Sequence, residues 1–280
     1  MVTVAARVTR PDTDRLRLRD EQYPEMRTPM TRGPSGPRSS ESSLRTYHVP
    51  STAARPGPTF MLLHGIGLSH REFTRLARHL SRGGRVVSFD LPGFGSTPRP
   101  RHPLSVQEHA AIVLRNLDRL ALGPVVVVGH SMGAQFAIEV ARQSPGSVSH
   151  VVLVGPVVDS TKRTLSAQAV VLLRDSLLEP PATQLMVTLD YIRCGIPWFL
   201  AEAFAMRDYP THLAVREVRH PLLVVRGEHD PIADAAWCRR LAGHAPDGRV
   251  ATIRGQRHNV LHSAPAATAA AILDFVAARA

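Results

Sequence analysis

Three residues that together can run acyl transfer stand along the chain in the order serine, aspartate, histidine: Ser131, Asp230 and His258. A serine hydroxyl is a poor nucleophile at neutral pH. It needs an imidazole to take its proton and hand it to a leaving group, and a carboxylate to orient that imidazole and stabilise its charged form. Ser131 has the most specific surroundings, Gly129-His130-Ser131-Met132-Gly133 preceded by Val125-Val126-Val127-Val128. Four β-branched residues between Pro124 and Gly129 read as a short, fully buried strand, and Ala137, Ile138, Val140 and Ala141 beyond the motif have helical apolar spacing. The serine therefore falls on a strand-to-helix turn sharp enough to favour glycine two places to either side. Such a turn holds the hydroxyl above the strand end and aims the Met132 amide, at a helix N-terminus, toward a developing oxyanion.

The surrounding elements must bring a base and an acid to that turn. Stretches 59–63, 85–89, 125–128, 150–154, 221–225 and 250–253 read as buried strands, and 44–49 alternates as a further strand. Amphipathic helices separate them. One has Phe73, Leu76, Ala77 and Leu80 on its face, with Ser69 and Glu72 spaced as a capping box; another has Val106, Ala110, Val113, Leu117 and Leu120, with Ser105 and Glu108 in the same relation. Further helices are predicted over 234–242 and 264–278. This alternation predicts an α/β fold: a mostly parallel, doubly wound sheet covered on both faces, with its site outside the carboxyl ends of the strands. The loops at 64–67, 90–96 and 129–133 fall at that edge, as do Asp230 and His258.

Between 157 and 218 the alternation stops. Helical segments at 165–178, 184–191 and 197–206 follow one another with no strand between them and hold Tyr191, Trp198, Phe199, Phe204 and Tyr209. This predicts a helical cap whose aromatics line an apolar pocket. Trp198 and Phe199 are the cap residues expected to touch substrate, and His130, inside the turn, is a third candidate. The domain organisation expected is an Arg/Pro-rich tail over 1–42, disordered or loosely attached, a core over 43–156 and 219–280, and the cap over 157–218.

The formal net charge is +11, and of 34 basic residues only Lys162 is a lysine. The arginines are dispersed, with no basic block interleaved with aromatics, so nucleic acid is not an expected partner. No run of 18 apolar residues offers a membrane span, and residues 1–20 lack the apolar segment of a signal peptide. These features predict a cytoplasmic protein acting on a small molecule. Cys194 and Cys238, the only two cysteines, have no disulfide-framework or zinc-site spacing. The chemistry calls for no metal or organic cofactor.

Taken together, His64-Gly65-Ile66-Gly67, Asp90-Leu91-Pro92-Gly93-Phe94-Gly95, Gly129-His130-Ser131-Met132-Gly133, Gly227-Glu228-His229-Asp230 and Gly255-Gln256-Arg257-His258 resemble the α/β-hydrolase family over residues 44–280. The resemblance implies a nucleophile at Ser131, a general base at His258 oriented by Asp230, and an oxyanion hole from the amides of Ile66 and Met132. A water activated by His258 would then resolve the acyl-enzyme. It also implies that His64 props the oxyanion loop and that Asp90 supports loop structure. His262 could replace the base and Asp234 the acid, with helix-surface and helix-capping roles as their competing readings, and His229 reads as structural. The expected activity is hydrolysis of an ester, thioester or lactone of a small to medium apolar acyl compound. A serine-dependent C–C hydrolase or perhydrolase would use the same triad, and a slow or non-catalytic ligand receptor could retain it.

Overall fold

The computed structural model describes residues 31–32, 43–157 and 178–278. Apart from Thr31 and Arg32, the tail expected over 1–42 lies outside the described residues, as does nearly all of the helix expected over 165–178.

The strands are β1 (Thr31–Arg32), β2 (Arg45–Val49), β3 (Thr59–Leu63), β4 (Arg85–Asp90), β5 (Val125–His130), β6 (Val148–Val154), β7 (Leu222–Gly227) and β8 (Gly248–Ile253). They form one sheet in the order β1-β2-β4-β3-β5-β6-β7-β8. Pairs from β4 to β8 are parallel, while β2 runs antiparallel to β4 and to the two-residue β1. That short pairing gives residues 31–32 a fixed place inside the segment expected to be disordered or loosely attached.

The longer helices are α1 (Thr74–Leu80), α2 (Val106–Arg119), α3 (Met132–Gln143), α4 (Pro181–Cys194), α5 (Ile196–Asp208), α6 (Ala235–His244) and α7 (Pro265–Ala277). Two-residue alternation divides each strand between layers. Met61, Leu63, Val87, Phe89, Val125, Val127, Val151, Leu153, Leu222 and Val224 join one core with residues of α2, α3 and α6. The intervening Phe60, Leu62, Val86, Val126, Val128, Val152 and Val225 face the opposite side, also fully or almost fully buried. A strand covered on both faces has no polar positions to spare, which is why β5 reads as an unbroken valine run.

The chain leaves β3 to one side, for β4, and returns on the other as β5. Their diverging connections open a crevice at the carboxyl edge, where parallel sheets place their sites. The loop after β3 and the turn after β5 meet there. The cap arises from the same edge: α4 and α5 lie between β6 and β7, as the broken alternation predicts.

Local signals set several boundaries. Ser105 and Glu108 form the reciprocal capping box of α2, and Asp234 caps α6 by accepting from the Trp237 amide at 2.8 Å. The box expected from Ser69 and Glu72 does not form. Ser69 caps a 3₁₀ turn (His70–Phe73) leading into α1, while the Glu72 carboxylate turns inward, to partners described below. Cys194 and Cys238 are free and buried, and burial pushes their thiols up to about 11 and about 12. No described helix is long and apolar enough to cross a membrane.

Candidate active site

Ser131 occupies the junction of β5 and α3 with φ 54° and ψ −115°. Its amide donates to Val154 O at 2.9 Å and its carbonyl accepts from the Ala134 amide at 3.1 Å, so the unusual backbone is held from both directions. The flanking glycines are dictated by contact: a Cβ on Gly129 would lie 2.1 Å from Gly133 O, and one on Gly133 would lie 2.1 Å from Leu63 O. Strand, turn and helix pack backbone to backbone at this point, leaving the hydroxyl as the first group that projects.

Asp230 and His258 are carried to it by the loops after β7 and β8. His258 Nε2 is 3.2 Å from Ser131 Oγ, and Nδ1 is 3.0 Å from Asp230 Oδ2. With Nδ1–H donated to the carboxylate, Nε2 is left as the acceptor for the serine hydroxyl. All three residues are buried. The second Asp230 oxygen, Oδ1, accepts from the amides of Ile232 and Ala233 at 2.8 and 2.9 Å. Burial pushes this carboxyl up, but the charge and hydrogen bond of His258 and the two amides outweigh it, so the group is held below its ordinary value. It is a fixed anion, suited to orienting an imidazole and stabilising its protonated form.

The amides of Ile66 and Met132 have no backbone acceptor among the described residues. Met132 is the first residue of α3, where an amide has no intrahelical partner and the helix dipole favours negative charge. The loop carrying Ile66 is clamped. His64 Nε2 accepts from the Leu91 amide at 3.0 Å, so its proton is on Nδ1, which donates to Gly65 O at 2.8 Å. Burial holds His64 below the ordinary histidine value, more strongly than its acidic neighbours raise it. Gly65 packs so close that a Cβ there would sit 3.3 Å from Ser131 Cβ and 3.3 Å from His130 Nδ1. Asp90 fixes the next loop by accepting from the His70 and Ser96 amides, the His70 ring and the Tyr47 hydroxyl.

The cap aromatics divide. Tyr191 and Phe199 press on Gly67, where an added Cβ would lie 2.8 and 3.0 Å from their rings. Trp198 presses on Gly93 and meets Phe94 edge to face. Tyr209 instead donates to Glu139 at 2.8 Å, on α3, and Phe204 is exposed beneath Arg207. His130, a candidate substrate contact by sequence, has both ring nitrogens engaged within the protein, by Glu72 and by the His258 carbonyl. That leaves neither nitrogen for a ligand.

The two residues that the sequence offers as alternatives to His258 and Asp230 are engaged elsewhere. His262 is buried and paired with Thr183 Oγ1 at 2.8 Å, and Asp234 is spent on its helix cap. His229 is largely exposed beside Glu228. Three residues of the site's surroundings are not evident from sequence reasoning: Glu72; Glu179, which accepts from the Asn259 amide at 2.9 Å; and Gly155, whose added Cβ would meet the His258 ring at 3.0 Å. Glu72 shares a helical face with Leu76 and Leu80 by its spacing, and Gly155 directly follows a buried strand, so each carries a signal that could have found it. Glu179 and Asn259, 80 positions apart, leave no local pattern. Among the described residues no group of His, Cys, Asp or Glu is arranged to hold a metal ion.

Residues 58–176 match the family profile described as alpha/beta hydrolase fold, and the sheet order and turn geometry agree with it. The chain has the α/β-hydrolase fold. It is 25% identical over 230 residues to the (E)-2-((N-methylformamido)methylene)succinate hydrolase of Acinetobacter baylyi, covering 75% of this chain and 86% of that protein. It is 29% identical over 254 residues to the pimeloyl-[acyl-carrier protein] methyl ester esterase of Aromatoleum aromaticum, covering 78% of this chain and 98% of that one. The crystal structure of the enol-lactonase from Burkholderia xenovorans LB400 superposes with a TM-score of 0.72 at 18% identity, over 86% of this chain and all of that one. General hydrolase activity is what these relatives support.

Proposed function

We propose that this α/β hydrolase is a serine hydrolase that cleaves an ester, thioester or lactone of a small to medium apolar acyl compound through an acyl-enzyme. The observation that carries the reading is the continuous line of hydrogen-bonding distances from Ser131 Oγ through the His258 ring to Asp230; with the ring proton on Nδ1 facing the carboxylate, Nε2 is the acceptor that attack requires. His258 takes the hydroxyl proton as Ser131 Oγ bonds to the acyl carbon, and Asp230 stabilises the imidazolium. The amides of Ile66 and Met132 receive the oxyanion, each worth about 3 kcal/mol if it behaves as such donors do elsewhere. His258 then protonates the leaving group, and a water it deprotonates releases the acid. Phe199, Tyr191 and Trp198, packed on the two loops beside the nucleophile, support an apolar acyl group, and the name of the esterase relative supports an ester bond.

Hydrolysis of p-nitrophenyl esters from acetyl to decanoyl tests the proposal, with the intact chain beside Ser131→Ala and His258→Ala. Loss on the order of 10⁶ in kcat is expected in both variants, with the chain-length optimum sizing the acyl site. Equal rates in all three proteins would overturn it.

A further inference from the structure

Glu72 and His130 form a second buried acid–histidine pair directly behind the triad, and the reaction just described makes no use of it. Glu72 is fully buried and His130 is 1% exposed. Every polar atom of the pair has a partner. Glu72 Oε1 accepts from the Gly65 amide at 3.0 Å, Oε2 is 3.0 Å from His130 Nδ1, and His130 Nε2 is 3.3 Å from the carbonyl oxygen of His258.

Donor counting fixes the protons. A carbonyl only accepts, so His130 Nε2 carries hydrogen; the Gly65 amide only donates, so Oε1 accepts. One proton remains, between Oε2 and Nδ1. The pair therefore holds its three contacts in one sense along the line Gly65, Glu72, His130, His258. Each end is next to a group that the proposed reaction needs: Gly65 precedes Ile66, whose amide receives the oxyanion, and His258 carries the base. His130 itself precedes Ser131 on the turn.

Burying an acid and a histidine contributes little net stability, because desolvation offsets their attraction. What such a line does supply is relative position. The oxyanion amide, nucleophile and base come from loops after β3, β5 and β8, and each must keep its place to a fraction of an ångström. Building on the serine-hydrolase reading, we propose that Glu72 and His130 are positioning residues that tie the oxyanion loop to the backbone of the base, setting both relative to Ser131.

The test compares Glu72→Gln, Glu72→Leu and His130→Phe on a p-nitrophenyl ester, with kcat taken per site titrated by a fluorophosphonate and Tm measured alongside. Glutamine can keep the whole line, its oxygen accepting from Gly65 and its amide donating to His130 Nδ1, while leucine and phenylalanine break it. Expected is a loss of about 10–100-fold in kcat with little change in KM for Glu72→Leu and His130→Phe, most of it restored in Glu72→Gln. Lower Tm with unchanged kcat per titrated site would overturn the proposal, and so would Glu72→Gln losing as much as Glu72→Leu.

Nitrogen NMR of histidine-labelled protein gives a readout that needs neither turnover nor the phenylalanine variant to fold. His130 Nε2 is expected to be protonated in the intact chain, and the His258 ring signals to move in Glu72→Leu. A bare His130 Nε2, or unmoved His258 signals, would refute the line. An intact chain that hydrolyses no ester while passing the NMR test would instead sink the serine-hydrolase reading alone.

Discussion

Replacing Ser131 by glycine and by alanine separates the strain of the turn from the chemistry of its side chain. Both variants lose Oγ and its hydrogen bond to His258, so both are expected to be inactive. They differ in backbone freedom. At φ 54° and ψ −115°, any residue with a Cβ is held in a sparsely populated region at a cost of about 1–3 kcal/mol, and alanine keeps that cost while glycine sheds it. Glycine in turn stabilises the unfolded chain by about 0.4–1 kcal/mol. At the middle of both ranges the difference favours Ser131→Gly over Ser131→Ala by about 1.3 kcal/mol. In a domain of this size that corresponds to about 3–5 °C in Tm. Scanning calorimetry of the two variants, with urea unfolding as a check, reads the quantity directly. Ser131→Gly equal to or less stable than Ser131→Ala would refute the reasoning and mean that the surrounding packing, not the residue, sets the turn's energy.

Asp230→Asn keeps an oxygen for the Ile232 and Ala233 amides but presents an N–H to His258, turning the imidazole to the wrong tautomer; a loss of about 10⁴ in kcat with unchanged circular dichroism is expected, and a loss under tenfold would contradict Asp230's role. Ala121, exposed and at φ 47° just beyond α2, occupies a position where helices usually place glycine. Ala121→Gly should raise stability by about 0.5–1 kcal/mol without altering activity, which a urea midpoint no higher than that of the intact chain would refute. His48, His64, His79, His244 and His262 are all held below the ordinary value of 6.5, in each case first by burial. Because the unfolded chain takes up these protons first, stability is expected to fall as pH drops through about 6.5 toward 5, and urea midpoints that stay flat or rise between pH 7.5 and 5.5 would sink that argument.

How far a feature is legible in the sequence follows from how local its cause is. The valine run of β5 and the glycines at 129 and 133 announce themselves because a strand buried on both faces admits only apolar residues, and a turn with backbone oxygens 2.1 Å from a would-be Cβ admits only glycine. Asp230 and His258 are legible as residues just past strands, since a parallel sheet gathers all such positions at one edge. Glu72 is ambiguous because its spacing from Ser69 fits a capping box and a buried helix face equally, and only the packing of Gly65 and His130 decides between them. The cap aromatics are legible as a group but not singly. α5 is apolar around much of its circumference, so its sequence does not say that Trp198 and Phe199 face the loops while Phe204 faces outward.

Helix α4 has a consequence for exchanging parts between relatives. It touches both halves of the sheet's carboxyl edge: Thr183 bonds His262 just past His258, while Asp190 accepts from Ser69 Oγ at 2.6 Å beside the loop that carries Ile66. Glu179, just ahead of it, holds Asn259. A graft that swaps only the insertion, to borrow another enzyme's selectivity, would leave Ser69, Asn259 and His262 facing foreign partners. The transplantable unit is larger than the insertion, and a working chimera has to carry those three core positions with it.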